Sequence, residues 1–391
     1  MTNTAKPSDI EAWLGALGAP SADRDYKPGH ARIQALIKAL ERKSNVFHKP
    51  KVRIRIAGTN GKGSTANFLA AALQANGLRV GLYTSPHILQ FNERIKVDGT
   101  MVADEALLGM MSDVMPLALE VGTSYFETAT VLALLYFSQQ QVDVEILEAG
   151  VGAKLDATTA VAADVGLLTP VGLDHQDWLG DTLESIAQEK AYIFQGCDIC
   201  MSAPQLDEVQ HVLNTQSKRM TYAPLFEDKL NVVGQHQHIN AGLAFATMKQ
   251  LTSLLPQLDI NKAKQAMQHT QIDGRLQQVQ SQGHTFWLDA AHNDHAIRAL
   301  LPTLKAMGDP FDVIFLATRE DRDLSGVVVD LQPLANKVVR LTGEATHDYV
   351  SVSQALSCEV SSVQGGKFLV LGSFMTIAET LRWLRTENAT V

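Results

Sequence analysis

The chain has 391 residues, 46% of them hydrophobic and 19% charged, with a net charge of −9. That length points to about two domains with a sizeable core, and the acidic balance excludes general affinity for nucleic acid or an anionic membrane surface. The N-terminus carries no basic-then-apolar leader and no apolar run reaches the ~18 residues of a membrane span, so a cytoplasmic protein is expected, with the cations for any anionic ligand gathered in one cleft.

Val52, Ile54 and Ile56 alternate with other residues and read as a strand. It empties into Gly58-Thr59-Asn60-Gly61-Lys62-Gly63-Ser64-Thr65, and a helix is expected from about Ser64 to Asn76, stopped by Gly77. Strand, glycine turn and helix make a phosphate cradle, because backbone N–H groups and a helix N-terminus face the anion. Lys62 is suited to neutralise phosphate charge and the Ser64 hydroxyl to bind Mg²⁺. The spacing departs from the standard Walker A pattern, since Ile56 stands where its first glycine would be.

Strand-like and helix-like runs then alternate, which argues for parallel sheets covered by helices. Arg79 to Tyr83 reads as a strand ending at Thr84 and Ser85, Glu127 to Gln139 as a buried helix, Val142 to Leu147 as a strand ending at Glu148, and Val165 to Thr169 as a strand ending before Asp174 and His175. Ligands of open α/β sheets bind beyond the carboxyl ends of the strands. Lys62/Ser64, Thr84/Ser85, Glu148 and Asp174/His175 therefore fall to one crevice, a set suited to a magnesium-nucleotide. Cys197 and Cys200 form a Cys-x-x-Cys pair with no second pair to complete a zinc site, and read as core residues.

Asp181-Thr-Leu-Glu184 has the form of a capping box, with Asp as the cap. On the helix it opens, Leu183, Ile186, Ala187 and Phe194 share an apolar stripe, and Lys190 lies on that stripe. Burial disfavours the charged form of a lysine. A buried ion pair, a snorkelling stem and a neutral amine that captures CO₂ as a metal-binding carbamate are the three explanations. A second alternating block begins near Ile272 with strands at 285–289, 311–317, 337–341 and 367–373 and a helix from Asp294. The expected domains are 1–270 and 271–391.

These features together resemble the Mur-ligase superfamily, and within it the bacterial dihydrofolate synthase/folylpolyglutamate synthase enzymes. Gly58-Thr-Asn-Gly-Lys-Gly-Ser is similar to that family's phosphate loop, Tyr83-Thr-Ser-Pro-His-Ile with Asn92-Glu-Arg-Ile to its folate-side loop, and Ile146 to Thr158 to its metal-binding turn. Leu173-Asp-His-Gln-Asp-Trp-Leu-Gly, continuing to Glu189-Lys-Ala, resembles the segment with the histidine ligand and the carbamylated lysine; Gly274-Arg275-Leu, Leu288-Asp-Ala-Ala-His-Asn and Leu371-Gly-Ser-Phe match in order. The departures are Ala153 and Lys154 for a usual glycine and arginine, Ala290-Ala-His-Asn-Asp for Gly-Ala-His-Asn-Pro, and Arg319-Glu-Asp-Arg-Asp for a more lysine-rich run. They touch substrate preference.

The resemblance implies an α/β fold: a P-loop ATPase domain with a mainly parallel sheet, followed by a smaller Rossmann-like domain that binds glutamate. It implies an ATP-dependent ligase that adds L-glutamate to dihydropteroate and to tetrahydrofolate through an acyl phosphate. Two Mg²⁺ sites are implied, one with Ser64, Ser85 and Glu148, the other with His175, the Lys190 carbamate and Glu148. Gly58 to Thr65, Asn240, Arg275 and Asp289 would hold ATP, and His292 would lie near glutamate or ATP. Thr84, Ser85, Pro86, His87, Arg94, Phe126 and Asp156 would serve the folate side. Lys62, Glu148, His175, Lys190 and His292 are the implied catalytic set, and a monomer is expected. The rival readings are a folylpolyglutamate synthase alone, another Mur-type amide ligase, and a P-loop nucleotide switch.

Overall fold

The computed structural model describes residues 10–17, 29–43, 47–174, 176–216, 220–318, 324–342, 349 and 351–388. The chain forms two compact units, Met1–Asp228 with Ile239–Gln268, and Lys229–His238 with His269–Val391. Among the described residues no helix is long and apolar enough to cross a membrane.

The first unit is built on strands β1 (Val52–Ala57), β2 (Val80–Tyr83), β3 (Ile95–Val97), β4 (Thr100–Met101), β5 (Val144–Glu148), β6 (Val165–Leu168), β7 (Ile199–Ser202) and β8 (Met220–Tyr222). Their order in the sheet is β4-β3-β2-β5-β1-β6-β7-β8. The run from β2 to β8 is parallel, and β3 and β4 add an antiparallel edge. β1 lies between β5 and β6, so the ends of β2, β5, β1 and β6 are neighbours.

Burial on both faces explains the apolar strands. Ile54 and Ile56 are fully buried, as are Phe68, Leu69 and Leu73 on the helix Lys62–Ala75, which packs on β1, β2 and β5. Each such side chain contributes about 1.5–3 kcal/mol relative to exposure. On the other face the helix Leu183–Lys190 and the 3₁₀ turn Ala191–Phe194 place Ile186, Ala187, Ile193 and Phe194 in a cluster with Ala57 and Leu168.

The boundaries around the two lysines differ from the sequence reading. The helix after β1 begins at Lys62, two residues early, because Gly61 in the left-handed region serves as its cap. The Lys190 helix is capped by Thr182 with Ser185 rather than by Asp181 with Glu184. It ends at Lys190, so Phe194 reaches the same core from the 3₁₀ turn and not from the α-helical stripe.

The second unit carries β9 (Gln277–Ser281), β10 (His284–Asp289), β11 (Phe311–Thr318), β12 (Ala335–Thr342) and β13 (Lys367–Gly372) in the order β12-β11-β13-β10-β9. Only the β9–β10 pairing is antiparallel. Its core joins Ile297, Leu300 and Leu304 of the helix Asp294–Ala306 to Phe311, Ile314, Leu369 and Leu371.

Candidate active site

β1 delivers the chain into a turn that only glycine can make at residue 61. Gly61 has φ +91°, and a Cβ there would stand 2.1 Å from Asn240 Oδ1. The turn is pinned from outside: the Thr59 N–H donates to Pro170 O (3.0 Å), the Thr59 hydroxyl to Gly172 O (3.0 Å), and the Asn60 N–H to Pro170 O (3.4 Å). Thr65 is fully buried, donating from its N–H to Gly61 O (2.9 Å) and from its hydroxyl to Asn240 O (3.4 Å). Asn240, itself buried, thus closes the turn on the side of the helix Gln235–Leu251.

Two lysines and a hydroxyl meet this turn. Lys62 Nζ donates to Gly58 O and Thr59 O, both at 3.1 Å, and Lys190 Nζ donates to the same Gly58 O at 3.1 Å. Lys190 is 3% exposed. Burial, reinforced by the charge of Lys62, brings its pKa down to about 7, against the opposing pull of Asp174, Glu189 and Asp156. The Ser64 hydroxyl is buried with no hydrogen-bond partner. Glu148, at the end of β5, lies alongside: its Oε2 is 3.3 Å from where a Cβ on Gly63 would be, and accepts the Ser85 N–H at 3.1 Å. Lys62, Gly63, Ser64, Ser85, Glu148 and Lys190 are therefore gathered at the ends of neighbouring strands. His175 lies outside the described residues.

The loop after β2 is held by charged side chains. Arg94 Nε donates to His87 Nδ1 (2.9 Å), its guanidinium lies 5.8 and 5.5 Å from the ring centres of Phe91 and Tyr125, and its carbonyl accepts the Thr84 N–H (3.0 Å). Glu93 gathers the N–H groups of Ile88, Leu89 and Gln90. Thr84 to His87 is thereby a fixed rim beside Glu148. Phe126 packs against the Tyr83 ring, centroids 5.9 Å apart, and against Gly150, where a Cβ would stand 2.9 Å from its Cζ. Asp156 accepts the N–H groups of Gly150 (2.9 Å), Val151 (3.3 Å) and Thr158 (2.9 Å) and the Thr158 hydroxyl (2.6 Å), while burial holds its carboxyl above the ordinary range. In this state its oxygens hold their own turn.

In the second unit, Asp289 ends β10 and accepts the N–H groups of Leu276 and Ala291, both at 2.8 Å; burial raises its carboxyl. His292 Nδ1 is 2.8 Å from Ala290 O, and Asn293 caps the next helix by accepting the Ala296 N–H (2.8 Å). The Arg275 guanidinium lies over the Phe374 ring at 5.2 Å. Sequence reasoning passed over Glu189, whose Oε1 accepts the N–H groups of Lys154 (2.8 Å) and Ala153 (3.3 Å). That bond joins the turn after Glu148 to the Lys190 helix through backbone groups. Ala153 is fully buried and its methyl belongs to the core around Ile186. No positional pattern marks such a bond.

Among the described residues no three His, Cys, Asp or Glu side chains form a ready metal cluster. The donors at the turn are instead hydroxyl and carboxylate oxygens, the hard ligands that Mg²⁺ takes while keeping several waters, and the partnerless Ser64 hydroxyl is one of them.

Comparison with known proteins bears on the same residues. The Mur ligase middle domain family matches residues 56–215, and the Mur ligase glutamate ligase domain family matches residues 274–387. A dihydrofolate synthase/folylpolyglutamate synthase of Haemophilus influenzae is 31% identical over 430 residues, covering 95% of this chain and 97% of its own. A folylpolyglutamate synthase of Lacticaseibacillus casei is 33% identical over 328 residues, covering 73% of this chain and 74% of its own. The solved structure of E. coli FolC in complex with DHPP and ADP superposes with a TM-score of 0.83 at 26% identity, over 99% of this chain and all of that one (100%).

Proposed function

The chain belongs to the Mur ligase family, among its dihydrofolate synthase/folylpolyglutamate synthase members, and from that membership we propose that it joins L-glutamate to folate-type carboxylates with ATP as phosphoryl donor, dihydropteroate and tetrahydrofolate both serving as acceptors. The observation that carries the reading is the meeting of Lys62, Lys190, Glu148 and the partnerless Ser64 hydroxyl on one phosphate turn.

A carboxylate cannot expel oxide, so it must first be phosphorylated. The amine of glutamate then attacks the acyl phosphate, and the tetrahedral species collapses to amide and phosphate. The protein's part is positioning and charge neutralisation around the moving phosphoryl group. The N–H groups of the 58–65 turn and the Lys62 ammonium bind the phosphates; the rim 84–87 and Phe126 orient the acceptor. Ser64, Ser85 and Glu148 would hold one Mg²⁺, and His175, Lys190 as its carbamate and Glu148 a second. Ions held there would supply charge neutralisation at the phosphate oxygens and would polarise the acceptor carboxylate.

The electrostatics of Lys190 support the carbamate reading. An amine brought down to about pH 7 is substantially neutral at physiological pH. Its nitrogen can bond CO₂ carbon and release a proton, which replaces a second cation beside Lys62 with a carboxylate-like anion. Carbon-13 NMR of protein equilibrated with labelled bicarbonate reads this directly, and an unmodified Lys190 in a metal-loaded crystal would exclude it. Glutamate binding, a monomeric state and a cytoplasmic location are part of the same reading.

The deciding experiment is a mass-resolved product assay with ATP, Mg²⁺ and glutamate, using dihydropteroate in one reaction and tetrahydrofolate in the other. One added glutamyl residue in both, with matching ADP, is expected. Addition to tetrahydrofolate alone reduces the protein to a folylpolyglutamate synthase. No product from folded, nucleotide-binding protein overturns the folate assignment, and ATP hydrolysis at full rate without acceptor favours a nucleotide switch.

A further inference from the structure

β1 also carries Arg53 and Arg55, on the face opposite Ile54 and Ile56, and Arg55 has no part in the chemistry so far. It is 2% exposed. A guanidinium that deep normally needs a carboxylate, yet its hydrogen bonds run to carbonyls and a thiol. Nη1 donates to Thr159 O (3.4 Å) and Val161 O (3.3 Å), and Nη2 to Ile193 O (3.1 Å), Gln195 O (2.6 Å) and Cys197 Sγ (3.3 Å), while Nε is buried without a partner. These acceptors lie on two segments. Residues 157–161 follow the turn after Glu148, and residues 191–197 follow Lys190.

The strand opposite is built for this reach. In the β1–β6 register Arg55 faces Gly166, where a Cβ would stand 2.7 Å from Ile193 O and 3.1 Å from Phe194 Cα. The missing side chain lets the 191–197 backbone settle onto β6 within range of the guanidinium. Lys190, one residue before that segment, reaches Gly58 O, three residues beyond Arg55 and the first residue after β1.

We propose that Arg55, with Gly166 across from it, is a positioning residue that seats the 191–197 segment and thereby sets the reach of Lys190 to the phosphate turn; the proposal rests on the reading of Lys190 as a working group of the ligase. A planar fork donating to four carbonyls on two segments is something neither lysine nor an apolar side chain reproduces. Core filling alone would not need it, since apolar residues of similar volume often replace buried charges without loss of stability.

The test uses the full chain with Arg55→Met, Arg55→Lys and Gly166→Ala, reading ligase kinetics and ligand-free amide hydrogen exchange by peptide. For Arg55→Met, kcat is expected to fall ~10-fold or more with KM for ATP within about threefold. Exchange should quicken in 157–161 and 191–197 and stay as in wild type in the helix Lys62–Ala75, with Arg55→Lys between the two. Exchange unchanged in both segments overturns the seating, and normal kcat despite quickened exchange overturns its link to Lys190. Should Arg55→Met fail to fold, Gly166→Ala, which keeps the charge and pushes on Ile193 O, decides on the same two measurements. A wild-type protein without ligase activity would fail the ligase reading alone, because the exchange pattern judges the seating independently.

Discussion

The turn after β1 and the turn after β10 are assembled from the same parts, a parallel strand, a short irregular stretch and a helix, yet they leave their polar groups in opposite conditions. After β10, both oxygens of Asp289 accept backbone N–H groups, Ala290 N–H is taken by Gly274 O, and Asn293 caps its helix. After β1, a buried hydroxyl has no partner and two lysines share one carbonyl. A buried polar group left unmade costs about 1–3 kcal/mol, so the first turn is held against its own preference and the second is at rest. An unsatisfied turn is one that a ligand can complete, and a satisfied turn is one that already supports itself.

The comparison is broken most directly at Lys190 and Glu148. Lys190→Ala and Glu148→Ala are each expected to lower turnover by ~10²–10³-fold while the circular dichroism spectrum is kept. Near-normal turnover in either variant removes that residue from the mechanism and, with it, the link between poor satisfaction and catalysis.

A half-buried histidine sharpens the same contrast in the second unit. Burial, with the charge of Arg275 adding to it, takes His236 down to about 4. Between pH 6.5 and about 4 the unfolded chain binds a proton that the folded one refuses, so stability is lost as pH falls through that window, by about 1.4 kcal/mol per pH unit. Urea midpoints of wild type and His236→Gln, compared at pH 7, 5.5 and 4.5, should diverge with the wild type losing more. Parallel midpoints would mean that His236 is protonated freely in the folded state.

Asp289→Ala tests the satisfied turn. It orphans the Leu276 and Ala291 N–H groups and should cost about 2 kcal/mol in urea unfolding; an unchanged midpoint would show that the carboxylate does not support the turn.

What could be read from the sequence divides along the same line. The phosphate turn was legible because its chemistry sits in eight consecutive residues, and Lys190 because a helix periodicity makes a polar residue on an apolar stripe conspicuous. The cap of that helix was misplaced by one position, since Thr182 with Ser185 and Asp181 with Glu184 satisfy the same local rule. The roles of Arg55 and Glu189 were not legible. Their partners are backbone carbonyls and N–H groups that only tertiary packing brings within reach, and neither Gly166 opposite Arg55 nor the turn at 153–154 opposite Glu189 leaves a mark in spacing or composition.

The smallest effect is the most discriminating. Ser64→Ala deletes a buried hydroxyl that has no partner, so it should leave stability unchanged or raise it by up to about 1 kcal/mol, opposite in sign to Asp289→Ala. At the same time it removes an oxygen suited to the metal, so turnover should fall by ~10-fold or more and the Mg²⁺ concentration for half-maximal rate should rise. A destabilised Ser64→Ala with normal metal dependence would mean that the hydroxyl supports the helix Lys62–Ala75, and the turn after β1 would then be no different in kind from the turn after β10.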